Sequence, residues 1–501
     1  MTSSPAHMKP ASRSRFPALL FFGLLACAAA CLAISSQSLW EDEAETAGLV
    51  NAPTIQGWWQ AMCNDHTSNM MAPAYMLYEW VWARLCGVSE MALRASNALW
   101  FFVGLFAIAH FLRRRPGLRN ATLLVYCIHP FVWYYLNEAR PYSMQLGATL
   151  LLTGPLIEAL DEPRKPLTAS WWWLFAAGVA LSCGCNLLGI PWVMMVGLML
   201  LFGRPDVLQS LRRSGLPAVA LCAPVLVILA IYYAWTLKEG AAPMVHAFSF
   251  LSVPFVFYEH LGFVGLGPGR VDMRSGGAHI FLEYLPTLCI LGLPLIYALG
   301  SAALVRFGLS LRTFAALCLV VALPLAFVFA LGVTRHFRVL GRHLTPLLPF
   351  VLIAVGVAIH RLWMRRTVFG RAVASLVVVA LAASALECRF AYRHQRDDNR
   401  DAAAMANAAL AKGEIVWWAA GASPAQYYNL PVSMTAQPGS ALRLWSPTQD
   451  YLDSQKLPDL IFYSKPDLFD ARAGMSDFIA EHGYVQVGAL PAFTIWRAHK
   501  A

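Results

Sequence analysis

The chain has 501 residues, 58% of them hydrophobic and only 13% charged, and its mean hydropathy is +0.53. That make-up lies outside the range of soluble globular domains and marks an integral membrane protein. The net charge of +10 does not signal a nucleic-acid partner. The basic residues fall in short clusters between apolar runs, as the bias of Lys and Arg toward cytoplasmic loops predicts, and nucleic acid is excluded.

Lys9, Arg13 and Arg15 precede an apolar run at 16–34, long enough at about 1.5 Å per residue to cross a hydrocarbon core. Leu24-Leu25-Ala26-Cys27 is similar to a lipoprotein cleavage site, but the many spans that follow favour a retained first span with its N-terminus inside. Three acids then stand in Leu39-Trp40-Glu41-Asp42-Glu43, with Glu45 beyond. The first outer loop, 37–94, carries Trp58-Trp59 and an aromatic run at 75–82 interrupted by Glu79. That pattern suits helices lying in the membrane interface. Cys63 and Cys86 fall in this loop while most of the eleven cysteines sit in apolar runs; two unpaired thiols are favoured over a disulfide.

Further runs long enough to span lie at 95–112, 121–136, 142–160, 216–235, 280–299, 314–333, 344–359 and 372–386. The stretch 171–202 has no charge and basic flanks, Arg164-Lys165 before and Arg204 with Arg212-Arg213 after. Both flanks belong inside, so it folds as a hairpin turning at Asn186 and Gly189-Ile190-Pro191. The count is about eleven spans, which delivers the C-terminus to the outer side. Residues 248–267 carry Glu259-His260 and several glycines and read as an interfacial or re-entrant piece. From about 387 the composition becomes that of a small soluble domain: a helix is expected at 401–411 and strands at 414–419, 460–463, 484–487 and 493–496. The expected fold is a polytopic α-helical membrane protein, residues 1–388, with an outer α/β domain at 389–501. No repeat or low-complexity segment interrupts it.

Asp42 and Glu43 follow the first span directly, at the rim of the outer leaflet. A carboxylate there can take a proton from an acceptor hydroxyl, and partial desolvation raises its pKa toward that task; the plain alternative is a solvated acidic loop. Arg335-His336-Phe337-Arg338 and Gly341-Arg342-His343 form a cationic cluster on the outer side, against the positive-inside bias. Guanidinium forks pair with phosphate oxygens, although anionic headgroups or the acidic first loop would also satisfy them. Asn137-Glu138-Ala139-Arg140-Pro141-Tyr142 sets another Arg beside a Tyr at headgroup depth, where a snorkelling Arg is common. Asp65-His66 is read as a structural hydrogen bond rather than a metal pair, lacking a third ligand at helical spacing. Gly262 to Gly269 lacks the strand and helix of a nucleotide loop and reads as a mobile outer loop over a cleft. His129 beside Pro130 reads as a core histidine at a kink.

Taken in order, Leu39-Trp40-Glu41-Asp42-Glu43, Gly87-Val88-Ser89-Glu90-Met91-Ala92-Leu93-Arg94-Ala95-Ser96 and Glu138-Ala139-Arg140-Pro141-Tyr142 resemble the GT-C superfamily of polyprenyl-phosphate-sugar glycosyltransferases. The branch is similar to the protein O-mannosyltransferases and the lipid A aminoarabinose transferase. Arg342-His343-Leu344-Thr345-Pro346-Leu347-Leu348-Pro349 and Asp397-Asp398-Asn399-Arg400-Asp401 continue the match. Two departures stand out: Ala72-Pro73-Ala74-Tyr75 where the family usually shows His-Pro-Pro before an aromatic, and Asn186 where a His or Tyr is common.

The resemblance implies an inverting transferase of the bacterial inner membrane with an undecaprenyl-type phosphate-sugar donor. Its acceptor would be a hydroxyl of lipid A or lipopolysaccharide, another envelope glycan, or protein. Asp42 would be the base and Arg140, Arg342 and Tyr142 would surround the donor phosphate, supported by Glu43, Asp65, His66, Glu138 and His343. No resident metal site is assigned; a divalent cation bridging Asp42, Glu43 and the phosphate is left open. The alternatives are a transporter or flippase of lipid-linked sugars and an O-antigen polymerase or ligase. A transporter ought to show mid-span ionisable residues and repeated halves.

Overall fold

A computed structural model describes residues 15–163, 165–238 and 248–499; Lys9, Arg13, Arg164 and 239–247 lie outside the described residues. Every apolar run read from the sequence is helical. Glu90–Phe111, Val207–Lys238, Leu285–Ala303, Leu311–Thr334, Gly341–Met364 and Val368–Phe390 are long and apolar enough to cross a bilayer. Pro17–Ala33, Ala169–Cys185 and Leu187–Gly203 are shorter apolar helices. The last two form the expected hairpin, and the Asn186 side chain accepts the Leu188 N–H at 2.9 Å in its turn.

The run at 121–136 is not one helix. It divides into Pro116–Ile128 and Pro130–Leu136, because Pro130 has no N–H to donate and its ring clashes with the preceding turn. His129 at the break is 1% exposed and its Nδ1 accepts the Phe131 N–H at 3.2 Å. Trp133 Nε1 donates to the Cys127 carbonyl at 2.7 Å, satisfying an oxygen at the break.

Helix Tyr142–Asp161 is buried along nearly its whole length, between Glu90–Phe111 and Ala169–Cys185. Small residues allow this contact: a Cβ on Gly147 would stand 2.8 Å from the Trp100 carbonyl oxygen, and one on Gly178 2.7 Å from the Leu152 nitrogen. By contrast, Leu216–Lys238 exposes Leu221, Val227, Ile228 and Ile231, the apolar surface a lipid-facing helix requires.

The first loop folds into helices Glu41–Val50, Ile55–Asn64 and Pro73–Cys86. Trp59 packs at 6.2 Å from Tyr232 and 6.3 Å from Trp235, an aromatic belt at one end of the bundle. Cys63 and Cys86 are both free thiols. Residues 248–267 hold only a nine-residue helix, Ser252–His260, and one 3-10 turn, Val264–Leu266. The glycines at 262–269, expected to form a mobile loop, instead make a close contact: Ser384 Oγ accepts the Gly265 N–H at 3.1 Å and donates to the Gly262 carbonyl at 2.7 Å.

Beyond 390 the chain forms a six-stranded mixed sheet. Its strands are β1 (Val416–Ala419), β2 (Val432–Ser433), β3 (Ala441–Arg443), β4 (Leu460–Ser464), β5 (Val485–Leu490) and β6 (Phe493–Arg497), in the order β2-β3-β1-β4-β6-β5. The first four strands in that order are parallel and β6 and β5 antiparallel. Strands β2 and β3 are absent from the sequence reading because two or three residues carry no alternating pattern. The sheet domain grips the end of the first span: Tyr428 Oη accepts the Leu39 N–H at 2.8 Å, and Asn399 Nδ2 donates to the Leu39 carbonyl at 2.9 Å.

Candidate active site

The Glu41–Val50 helix is anchored by Glu43, not displayed by it. Glu43 is fully buried, and its carboxylate accepts from Arg94 Nε at 2.9 Å, Arg94 Nη2 at 2.7 Å and the Ala139 N–H at 2.8 Å. Arg94 completes its fork on the carbonyls of Ser35, Gln37 and Ser38. Glu43 was expected beside the reacting groups. Burial among donors instead makes it a bidentate staple between the first loop and the bundle.

Asp42, one residue earlier, faces another way. Its Oδ2 receives Arg342 Nη1 at 3.2 Å, with the two side chains 22% and 18% exposed. The Arg342 guanidinium stands 5.5 Å from the Trp40 ring centre and 6.0 Å from that of Tyr142, and its Nε has no hydrogen-bond partner among the described residues. Burial would raise the Asp42 pKa, but Arg342, Arg140, Lys465 and Arg270 outweigh it and hold the carboxyl below its ordinary value. The expectation of a raised Asp42 is therefore reversed. Its neighbours move upward instead: Glu41 to about 7 and Glu45 to about 8, chiefly by burial.

Arg140 is expected to meet a donor phosphate directly, yet it is 2% exposed and lies beneath Asp42. Nη1 donates to the Asp42 carbonyl at 3.2 Å, to Thr46 Oγ1 at 3.1 Å and to Asn69 Oδ1, while Nη2 donates to Ser68 Oγ at 2.8 Å. The other expected residues separate. Tyr142 is buried beside Arg342. Glu138 accepts from Arg396 Nη1 at 3.1 Å. Asp65 accepts from Thr67 Oγ1 at 2.7 Å, the structural hydrogen bond read from the sequence, and His66 beside it is exposed. His343 Nδ1 accepts the Leu340 N–H at 3.2 Å and caps its own turn.

The donor set does not suit a divalent cation bridging Asp42 and Glu43, because Arg94 and the Ala139 N–H already engage both Glu43 oxygens. Among the described residues no three His, Cys, Asp or Glu side chains are grouped to hold an ion.

A cleft opens beside this centre, its walls including Trp40, Tyr134, Glu259, Arg270, Arg396 and Lys465. Asp42, Arg140 and Arg342 do not line it, and Trp40 joins the two regions. Arg270 lies 4.6 Å from the Tyr134 ring centre and 5.5 Å from that of Trp40, without a hydrogen bond or ion pair among the described residues. Sequence reasoning passed over Arg270, Arg396 and Lys465. Arg270 follows Gly267-Pro268-Gly269, a stretch set aside as a loop, and Lys465 carries no local signal.

No protein-family model and no curated protein matches the sequence. Among solved structures the chain is similar to the crystal structure of ArnT from Cupriavidus metallidurans bound to undecaprenyl phosphate. The TM-score is 0.54 and the identity 14%, over 97% of this chain and 100% of that one. The apo structure of the same protein matches at TM-score 0.54 and 13% identity, over 97% and 99%. The chain thus shares the fold of ArnT over nearly its whole length.

Proposed function

We propose that this protein is a membrane glycosyltransferase that moves a sugar from a polyprenyl phosphate to a hydroxyl of an acceptor at the outer membrane face. One observation carries the reading: an ionised carboxylate, Asp42, paired at 3.2 Å with a guanidinium that lies 5.5 and 6.0 Å from two aromatic ring centres, one of them on the wall of a cleft. The undecaprenyl phosphate bound to the neighbour of like fold supports the donor class.

Asp42 accepts the acceptor's proton as its oxygen attacks the anomeric carbon opposite the phosphate, giving inversion in one displacement. Charge then grows on the leaving phosphate, and Arg342 and Arg270 stabilise it at the edge of a partly dry cleft. A phosphate that takes over Arg342 also withdraws a cation from Asp42, which raises its proton affinity when the base is needed. Arg140 acts behind Asp42 as a positioning residue. In this reading residues 1–388 form the membrane transferase domain and 389–501 an outer domain, in the bacterial inner membrane with the N-terminus inside. Lipid A or lipopolysaccharide, another envelope glycan and protein are the acceptors to test.

Mass spectrometry of envelope lipids, glycans and proteins from cells with and without the protein tests this. The expected result is one glycosyl residue missing from one acceptor class, restored by the wild-type chain and not by Asp42→Asn. Identical envelopes, or restoration by Asp42→Asn, would overturn it.

A further inference from the structure

The carboxyl ends of three neighbouring parallel strands in the small sheet converge on the first loop beside Asp42. Beyond β1, Gly421 lies against the Glu41 carboxylate so closely that any Cβ would overlap it. At the end of β3, Arg443 lowers the Glu41 pKa by its charge, and its Nε is buried without a partner among the described residues. Immediately after β4, Lys465 forms an ion pair with Asp397, lines the cleft and holds its ammonium 5.7 Å from the Trp40 ring centre. Open α/β sheets bind ligands at this edge.

Two further observations concern Lys465. Its backbone is left-handed, at φ 43° and ψ 72°, a conformation that disfavours a β-carbon and clusters at ligand sites. Arg342, Arg270 and Lys465 also stand 5.5, 5.5 and 5.7 Å from one indole ring, while the Trp40 Nε1 and the Arg342 Nε are buried with no acceptor among the described residues. Three cations and two unused donors around one indole, whose ring lines the cleft together with Arg270 and Lys465, match an anion that offers several oxygens.

We propose that Lys465 binds a phosphoryl group in this cleft, so that the C-terminal domain recognises substrate rather than capping the bundle. The proposal rests on the reading of the cleft as a phosphosugar site. The phosphoryl group has two possible sources, the polyprenyl donor or a phosphorylated acceptor, and the test separates them.

The full chain in phosphatidylcholine nanodiscs is titrated with undecaprenyl phosphate and, separately, with inorganic phosphate. Lys465→Asn removes the charge but tolerates the left-handed backbone; Lys465→Arg keeps the charge; Lys456→Asn, at an exposed lysine of the same domain, controls for net charge. Loss of about tenfold or more in undecaprenyl phosphate affinity in Lys465→Asn alone assigns the donor. Loss confined to inorganic phosphate assigns the acceptor side. Unchanged affinity for both ligands overturns the proposal. Asp397→Asn supplies a second test should Lys465→Asn misfold: freeing the ammonium tightens phosphate binding several-fold, and no change counts against the proposal. Failure of the wild-type chain to bind undecaprenyl phosphate sinks the donor reading instead, leaving Lys465 to be judged on the inorganic phosphate arm.

Discussion

Asp42 and Arg342, 300 positions apart in the chain, meet at 3.2 Å, whereas Glu43, adjacent to Asp42, is bonded to Arg94 in the protein interior. Successive residues on a helix point about 100° apart, so two neighbouring acids serve different ends. One pairs with a guanidinium from far along the chain, and the other fastens the helix that presents it.

Asp42→Asn is expected to lower sugar transfer by a factor of roughly one hundred or more while leaving the fold intact. Arg342→Lys should not rescue Arg342→Ala, because an ammonium lacks the planar fork that reaches Asp42 beside Trp40 and Tyr142. Initial rates with a lipid-linked donor measure both.

Glu43→Gln should destabilise the protein by about 3–5 kcal/mol, the penalty for leaving a buried guanidinium without its counter-charge. The readout is the unfolding transition in detergent. A variant as stable as Asp42→Asn would contradict the staple role.

The stability contributed by Glu41 and Glu45 should fall as pH rises from about 5 to about 8. Glu41 and Glu45 have folded pKa values raised to about 7 and about 8 from 4.5. Over that interval the folded state holds more protons than the unfolded state, so deprotonation favours unfolding. Asp42 acts in the opposite sense: its contribution is complete above the ordinary aspartate range and is lost only as pH falls through its depressed folded value. Across this range the unfolding temperature of wild type should drop relative to those of Glu41→Gln and Glu45→Gln.

Gly265→Ala should cost about 3 kcal/mol or more, since its Cβ would overlap the Ser384 carbonyl oxygen. Gly197→Ala, in helix Ile190–Gly203 with nothing within 4 Å of the added atom, should be neutral or stabilising by about 0.5–1 kcal/mol. Paired unfolding curves compare the two.

Apolar run length and charge spacing were legible in the one-dimensional chain because a bilayer demands about twenty apolar residues per helix. The hairpin turning at Asn186 and the strands β1, β4, β5 and β6 were legible for similar reasons of local pattern. The position of Asp42, directly after a span, was legible too. Direction and partnership were not. Glu43 and Asp42 have the same side-chain chemistry, and only packing against Arg94 turns one inward. Arg140 looks like a phosphate ligand until Thr46, Ser68 and Asn69 surround it. The glycines at 262–269 look mobile until Ser384 holds them. Arg270 and Lys465 become visible only when the C-terminal sheet closes over Trp40, because contacts between residues hundreds of positions apart are made by the folded chain and leave no mark in local spacing.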